Sequence, residues 1–296
     1  MDQASGLRSI IKQSEYVTVG TKPMARVITI TSGKGGVGKS NTAINIALNF
    51  QKMGKKVIIL DADFGLANIE IMFGTVPQHN LSDLIYKGMH IKDVITQGPG
   101  GVGFISGGSG IAGMSNLSHE YLTYIVQNLA ELDSIADVII IDTGAGISEA
   151  VLEFLVASGE IILVTTPEPT SITDSYSLLK ALNRHIRFKS DSTDIKVIAN
   201  RVPNKADGEI LYKKLAAVVN RYLGLKISYL GAVVQDQALS NAVMLQKPVA
   251  LANPNCKSAQ AFAEITAGLN NNEGVQNIKK RGMAAFFSHL VANKKV

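Results

Sequence analysis

Residues 26–40 read RVITITSGKGGVGKS, a β-branched strand that runs through four glycines into a helix, and few folds accommodate that order. The stretch from Gly33 to Ser40 satisfies G-x-x-x-x-G-K-[ST] in the strand–loop–helix setting that gives the pattern its meaning. Glycines let the backbone turn its N–H groups inward onto phosphate oxygens, and the helix that follows adds its positive amino end. Gly35, Gly36, Val37 and Gly38 would line that cradle, and Lys39 would neutralise the β and γ phosphates. Ser40 would offer a hydroxyl to Mg²⁺, with Asn41 and Thr42 near the α phosphate.

Such a loop sits at the carboxyl edge of a parallel sheet, and the rest of the chain supplies one. Apolar runs recur at 26–31, 56–61, 102–106, 137–142, 160–166 and 195–200, most without the alternation of a half-exposed strand. Strands buried on both faces read this way. Helical stretches at 41–54, 119–133, 148–157, 172–187, 208–223 and 257–269 lie between or after them. The expectation is an α/β fold, a mostly parallel, doubly wound sheet with helices on both faces, over residues 24–270. Residues 1–23 and 271–296 stand outside the pattern as a leader and a linker with a last helix.

Three acids end strands on the rim that carries the glycine loop: Asp61 and Asp63 in "DADFG", Asp142 in "DTGAG". Mg²⁺ keeps several waters, and acids must orient them. Asp61 and Asp142 are therefore assigned to the metal's water shell, and Asp63 to the attacking water. The guanine-reading N-K-x-D is absent, and the matching strand ends in Asn200 and Arg201. That favours adenine, hence ATP, with Asn200 read either as a base contact or as a turn residue.

A second lysine, Lys34, precedes the one a phosphate loop requires. Its own phosphates are already neutralised by Lys39, so its charge needs an anion elsewhere. The signature "GKGGVGKSN", with "LDADFGLANIE", "IIIDTGAGIS" and "NR" in that order over roughly residues 24–270, resembles the deviant Walker A motif of the MinD/ParA family. That resemblance implies an ATPase whose two subunits face each other across two ATP molecules, with Lys34 reaching the partner's ATP as an arginine finger does.

The leader narrows the resemblance. "DQASGLR" is similar to the segment with which the FlhG group of flagellar regulators (also FleN or YlxH) activates the GTPase FlhF, and Asp2, Gln3, Ala4, Leu7 and Arg8 carry the match. Ala4, Leu7 and Ile11 share a helical stripe too short to be stable alone. The group also implies FleQ-type transcription regulators or flagellar switch proteins as further partners.

The net charge of +5 resides in the tail, where Lys279, Lys280, Arg281, Lys294 and Lys295 stand without an acid. The remaining 24 basic residues balance the 24 acids, so the body is neutral and direct nucleic-acid binding is not expected. Met283, Phe286, Phe287, Leu290 and Val291 fall on one arc of a helix, as in a segment that lies in a membrane interface. The competing reading is a helix docked on the protein's own body. No run reaches the roughly 18 apolar residues of a spanning helix, and Cys256 is the lone cysteine, which rules out an intramolecular disulfide. A cytoplasmic chain, peripheral on the inner face of the membrane, is expected. Two other functions are compatible with the motifs: a ParA-like DNA-segregating ATPase, and a nucleotide-sensing adaptor with little turnover.

Overall fold

The computed structural model describes residues 24–63, 68–107, 127–271 and 282–291, the last without the side chains of 287–291. Eight strands form one sheet: β1 (Arg26–Thr31), β2 (Val57–Ala62), β3 (Thr96–Gln97), β4 (Gly103–Ile105), β5 (Val138–Thr143), β6 (Glu160–Thr165), β7 (Asp194–Val202) and β8 (Ser228–Val234). Their order is β3-β4-β2-β5-β1-β6-β7-β8. Every pairing is parallel except that of the two-residue edge strand β3 with β4.

The helices are α1 (Lys39–Lys52), α2 (Asn68–Phe73), α3 (Leu81–Lys87), α4 (Ile91–Val94), α5 (Leu132–Ile135), α6 (Glu149–Ala157), α7 (Pro169–Arg184), α8 (Lys205–Leu223), α9 (Gln237–Met244), α10 (Val249–Ala252), α11 (Lys257–Asn271) and α12 (Gly282–Val291). They cover both faces, and the strands show it: every residue of β2, β5 and β6 is buried. Ile28 and Ile30 of β1 join Phe50 of α1 and Phe262 of α11 in the core on one face. Val27 points the other way, into a core with Phe154 of α6 and Met283 of α12. The two-residue period of a strand thus divides one apolar run between two cores. Emptying either by truncating a residue such as Ile28 costs about 2–5 kcal/mol.

Several elements differ from the expectation. No strand was expected beyond residue 200, yet β8 forms an edge. Its pattern is broken by Gly231, whose φ of +155° and missing Cβ let Ile265 of α11 approach to 2.8 Å of the Cβ position. Helix α3 went unread because it is a seven-residue insert, held by a capping box between Asn80 and Asp83 instead of a long apolar stripe. The helix expected over 119–133 falls partly outside the described residues, with helix at 127–130 and α5 starting at 132.

Candidate active site

At the carboxyl end of β1 the chain turns through the glycine loop and enters α1. Gly36 and Gly38 have φ of +76° and +93°, conformations that L side chains seldom adopt. Above Gly35 and Gly36 the space is open, with nothing within 4 Å of a Cβ position. Below, the loop is pressed against its surroundings. A Cβ on Gly33 would lie 2.2 Å from the backbone of Asp174 in α7, and one on Gly38 would lie 2.3 Å from Nδ2 of Asn200.

That asparagine supports the loop from underneath. Its Nδ2 donates to the Val37 carbonyl at 2.7 Å, and its Oδ1 accepts from the Arg201 backbone at 2.9 Å. Arg201 itself takes a left-handed φ of +55°. Thr42 is turned into the helix, donating to the Gly38 carbonyl at 2.9 Å, and is fully buried. The Asn41 backbone carbonyl accepts from Asn45 at 2.8 Å.

Beneath the cradle the acids converge because β2 and β5 are neighbours in a register that pairs Asp61 with Asp142. Lys39 Nζ donates to Asp142 Oδ1 at 2.8 Å in a buried pair, and Ser40 also bonds that carboxylate. Asp142 Oδ2 has no partner. Burial pushes Asp142 upward while Lys39 pulls it back. Asp61 accepts from the backbone N–H of Asp63 and of Ile69 at 3.1 and 3.2 Å. Burial and, next, the neighbouring Asp142 raise its carboxyl to about 7. Asp63 is half-buried at the mouth, with Oδ2 accepting from Asn68 at 3.2 Å.

This donor set fits Mg²⁺ delivered with a nucleotide. The orphaned Asp142 oxygen and the raised Asp61 both mark negative charge in want of a cation. Among the described residues no cluster of three or more His, Cys, Asp or Glu would hold a metal unaided, which suits an ion that shares its ligands with phosphate and water.

A titration follows from the Asp61 shift. Its folded value lies above the ordinary 3.8, so ionised Asp61 is a burden on the fold above about 7, relieved as pH falls toward 3.8. Without Mg²⁺ or nucleotide, Asp61→Asn is expected to melt above wild type at pH 8. The gap should shrink as the pH falls below about 7. A gap that is constant with pH would refute the coupling.

Lys34 leaves the cradle. Its Nζ lies 2.7 Å from Glu168 Oε2 and 3.0 Å from Thr170 Oγ1, at the start of α7. The ammonium holds the exposed Glu168 carboxyl below its ordinary range. Sequence reasoning missed Glu168, Thr170 and Asn68. The signal for the first two was "TTPEPTS", an acid at the end of β6 one residue before the proline that opens α7.

Helix α12 lies on the body. Met283 and Phe286 are 0% and 2% exposed, with the Phe286 ring 5.8 Å from that of Phe154 in α6. Asp133 of α5 caps the helix, accepting from the backbone of Met283 at 2.7 Å and of Ala284 at 3.3 Å. The face expected to meet lipid is therefore covered at these two positions, because the groove beside α6 offers them an apolar seat. The side chains of Phe287 and Leu290 lie outside the described residues, as do Asp2, Gln3, Leu7 and Arg8.

Fold and site together define a P-loop nucleoside triphosphatase with an additional lysine in its loop. Residues 28–249 match the family described as the CobQ/CobB/MinD/ParA nucleotide binding domain, and the chain belongs to that family. It is 37% identical over 247 residues to the antiactivator FleN of Pseudomonas aeruginosa, covering 83% of this chain and 87% of that one. It is 34% identical over 275 residues to the flagellum site-determining protein YlxH of Helicobacter pylori, covering 91% of each. In fold it resembles MinD complexed with Mg-ADP from Pyrococcus horikoshii OT3, with a TM-score of 0.66 at 23% identity over 85% of this chain and 98% of that one. The protein is an ATP hydrolase of this family.

Proposed function

We propose that the chain is an ATP-driven dimerising switch that regulates the number and placement of flagella. The observation that carries this reading is the pair of lysines. Lys39 already serves its own cradle, while Lys34 is turned outward and held by Glu168, an exposed pair that costs little to break. Two ATP-loaded subunits would face each other, and each Lys34 would exchange Glu168 for the partner's phosphates.

Within each site the loop N–H groups and Lys39 orient the triphosphate, and Asp63, at the mouth beside Gly144, directs a water at the γ phosphorus. The water oxygen bonds to phosphorus as the bond to the ADP oxygen breaks, yielding ADP, phosphate and a proton that passes to solvent. Mg²⁺, held through Ser40 and the waters of Asp61 and Asp142, would spread the charge of the β and γ oxygens. Lys34 from the opposite subunit would balance the rest.

The relatives' names, an antiactivator and a flagellum site-determining protein, point to the pathway served. The leader, with Asp2, Gln3, Leu7 and Arg8, is proposed to engage the GTPase FlhF. A FleQ-type regulator or flagellar switch protein is a further proposed partner, and FleN's description as an antiactivator supports the first. In this scheme the tail undocks from α6, and Met283, Phe286, Phe287 and Leu290 meet an anionic bilayer on the cytoplasmic side. Two weak anchors on one dimer can raise avidity by about 10² to 10⁴, which links ATP to membrane attachment.

Light scattering on Asp63→Ala tests the dimer: its molar mass should double with ATP and remain single with ADP. If wild type and Asp63→Ala hydrolyse ATP at the same rate, the water-directing role is lost. Liposomes containing anionic lipid should sediment the protein with ATP more than with ADP. Equal sedimentation in both states would remove the membrane switch and leave the ATP site standing.

A further inference from the structure

On the face of the sheet that carries α1 and α11, away from the phosphate cradle, lies a groove of about 560 Å³. Phe73 at the end of α2, Pro99, and Leu245, Lys247, Pro248 and Leu251 from the α9–α10 region line it. The two walls meet where a Cβ on Gly74 would stand 3.5 Å from the Gln246 carbonyl. Gln246 holds a left-handed φ of +53° at that corner.

Exposed apolar residues flank it along the chain. Val76 is 88% exposed, Met244 84% and Leu245 68%, two loops brought side by side by the Gly74–Gln246 contact. Exposed apolar side chains at the borders of a groove offer a seat to another molecule. We infer that this groove seats an amphipathic helix of a partner protein, with acidic residues flanking its apolar stripe, and that the bound nucleotide adjusts the seat.

Charge selects that occupant. Lys247 lines the groove, Lys52 lies next to it with Nζ on the Ala250 carbonyl at 2.8 Å, and no acid is among the lining residues. Two of the chain's own segments outside the described residues, the leader and the tail, are unsuited. The leader carries Arg8, Lys12 and Lys22 against Asp2 and Glu15, and the tail carries Lys279, Lys280, Arg281, Lys294 and Lys295 with no acid. Both would bring like charge to the lysines. A helix laid into a groove by its apolar face, with carboxylates at the rim, satisfies both features.

Each wall is tied to the catalytic machinery. Helix α2 begins at Asn68 and Ile69, whose side-chain and backbone N–H groups donate to Asp63 and Asp61 at 3.2 Å each. The opposite wall is tied to α1, the helix that starts at Lys39: the Ala250 backbone donates to Asn45 Oδ1 at 2.9 Å, beside the Lys52 contact. A shift of Asp61 and Asp63 between nucleotide states would therefore move one wall against the other. This gating rests on the ATP switch proposed above; the docking itself does not.

The test is a selection of short helical peptides from a phage-displayed library, with the full-length protein in Mg-ATP as bait. The best peptide is then measured by fluorescence polarisation. An apolar stripe flanked by acids is expected, with affinity falling roughly ten-fold or more for Leu245→Asp. Lys247→Glu should turn the selection toward basic flanks. Leu245 is exposed and takes no part in catalysis, so ATP turnover of Leu245→Asp should match wild type. Affinity should change several-fold between Mg-ADP and Mg-ATP, and equality there overturns the gating while ATP turnover reports separately on the switch. Peptides that bind Leu245→Asp as well as wild type overturn the docking site. So does self-association of wild type that Leu245→Asp disperses, since a second copy would then be the occupant.

Discussion

Lys34→Ala is expected to bind ATP within a few-fold of wild type and yet lose about 10³ to 10⁵ of the turnover of the assembled enzyme. The two effects separate because the Lys34 side chain is directed away from its own cradle, onto Glu168 and Thr170. Deleting it takes no charge from the phosphates bound by the same chain. In the proposed dimer it would remove a cation from the ATP of the opposite chain, which would help hold the two subunits together and balance the negative charge that gathers on the leaving oxygen. Fluorescent-nucleotide titration gives the binding, and phosphate release gives the turnover. Light scattering with ATP should show a single mass for this variant. Wild-type turnover with a doubled mass would reduce Lys34 to a surface charge.

Lys39→Ala should abolish nucleotide binding and also weaken the fold, which is unusual for a binding-site change. Its ammonium is the cationic partner of Asp142, whose side chain is 0% exposed and whose second oxygen has no hydrogen bond. Removing one member of a buried pair costs about 3–5 kcal/mol when the other stays charged. Asp142 is already pushed upward by burial, and without Lys39 nothing opposes that push except Ser40. The loss should therefore be smaller at the lower of two pH values, as the carboxyl takes a proton. The double variant Lys39→Ala with Asp142→Asn should recover the melting temperature and not the nucleotide. A single variant that melts as wild type does at both pH values would show that the pair adds nothing to stability.

Much of the sheet was legible because buried parallel strands are written as unbroken apolar runs, and the glycine loop announces its own conformation. What escaped was encoded elsewhere. Strand β8 is interrupted by Gly231, a residue chosen by Ile265 of α11 thirty-four positions away. Glu168 was invisible as the holder of Lys34, since the two are 134 residues apart and meet only because β1 and β6 are neighbours. Asn200 was open to two readings, and the structure shows a third task, support of the loop through the Val37 carbonyl. The tail was read as an apolar arc with two destinations. The seat beside Phe154 and the Asp133 cap, which place it on the body here, belong to other parts of the chain.

By itself the sequence determined the chemistry: glycines that bare backbone N–H groups, a lysine for the phosphates, acids at strand ends, and a second lysine with no local anion. Those are properties of residue type and short spacing, and they survive without knowledge of any distant contact. Only the tertiary structure decided which groups face each other, since strand order sets neighbours that chain order does not. It set Asp61 against Asp142, gave Lys34 the Glu168 carboxylate, and joined α2 to the α9–α10 loop around an apolar groove.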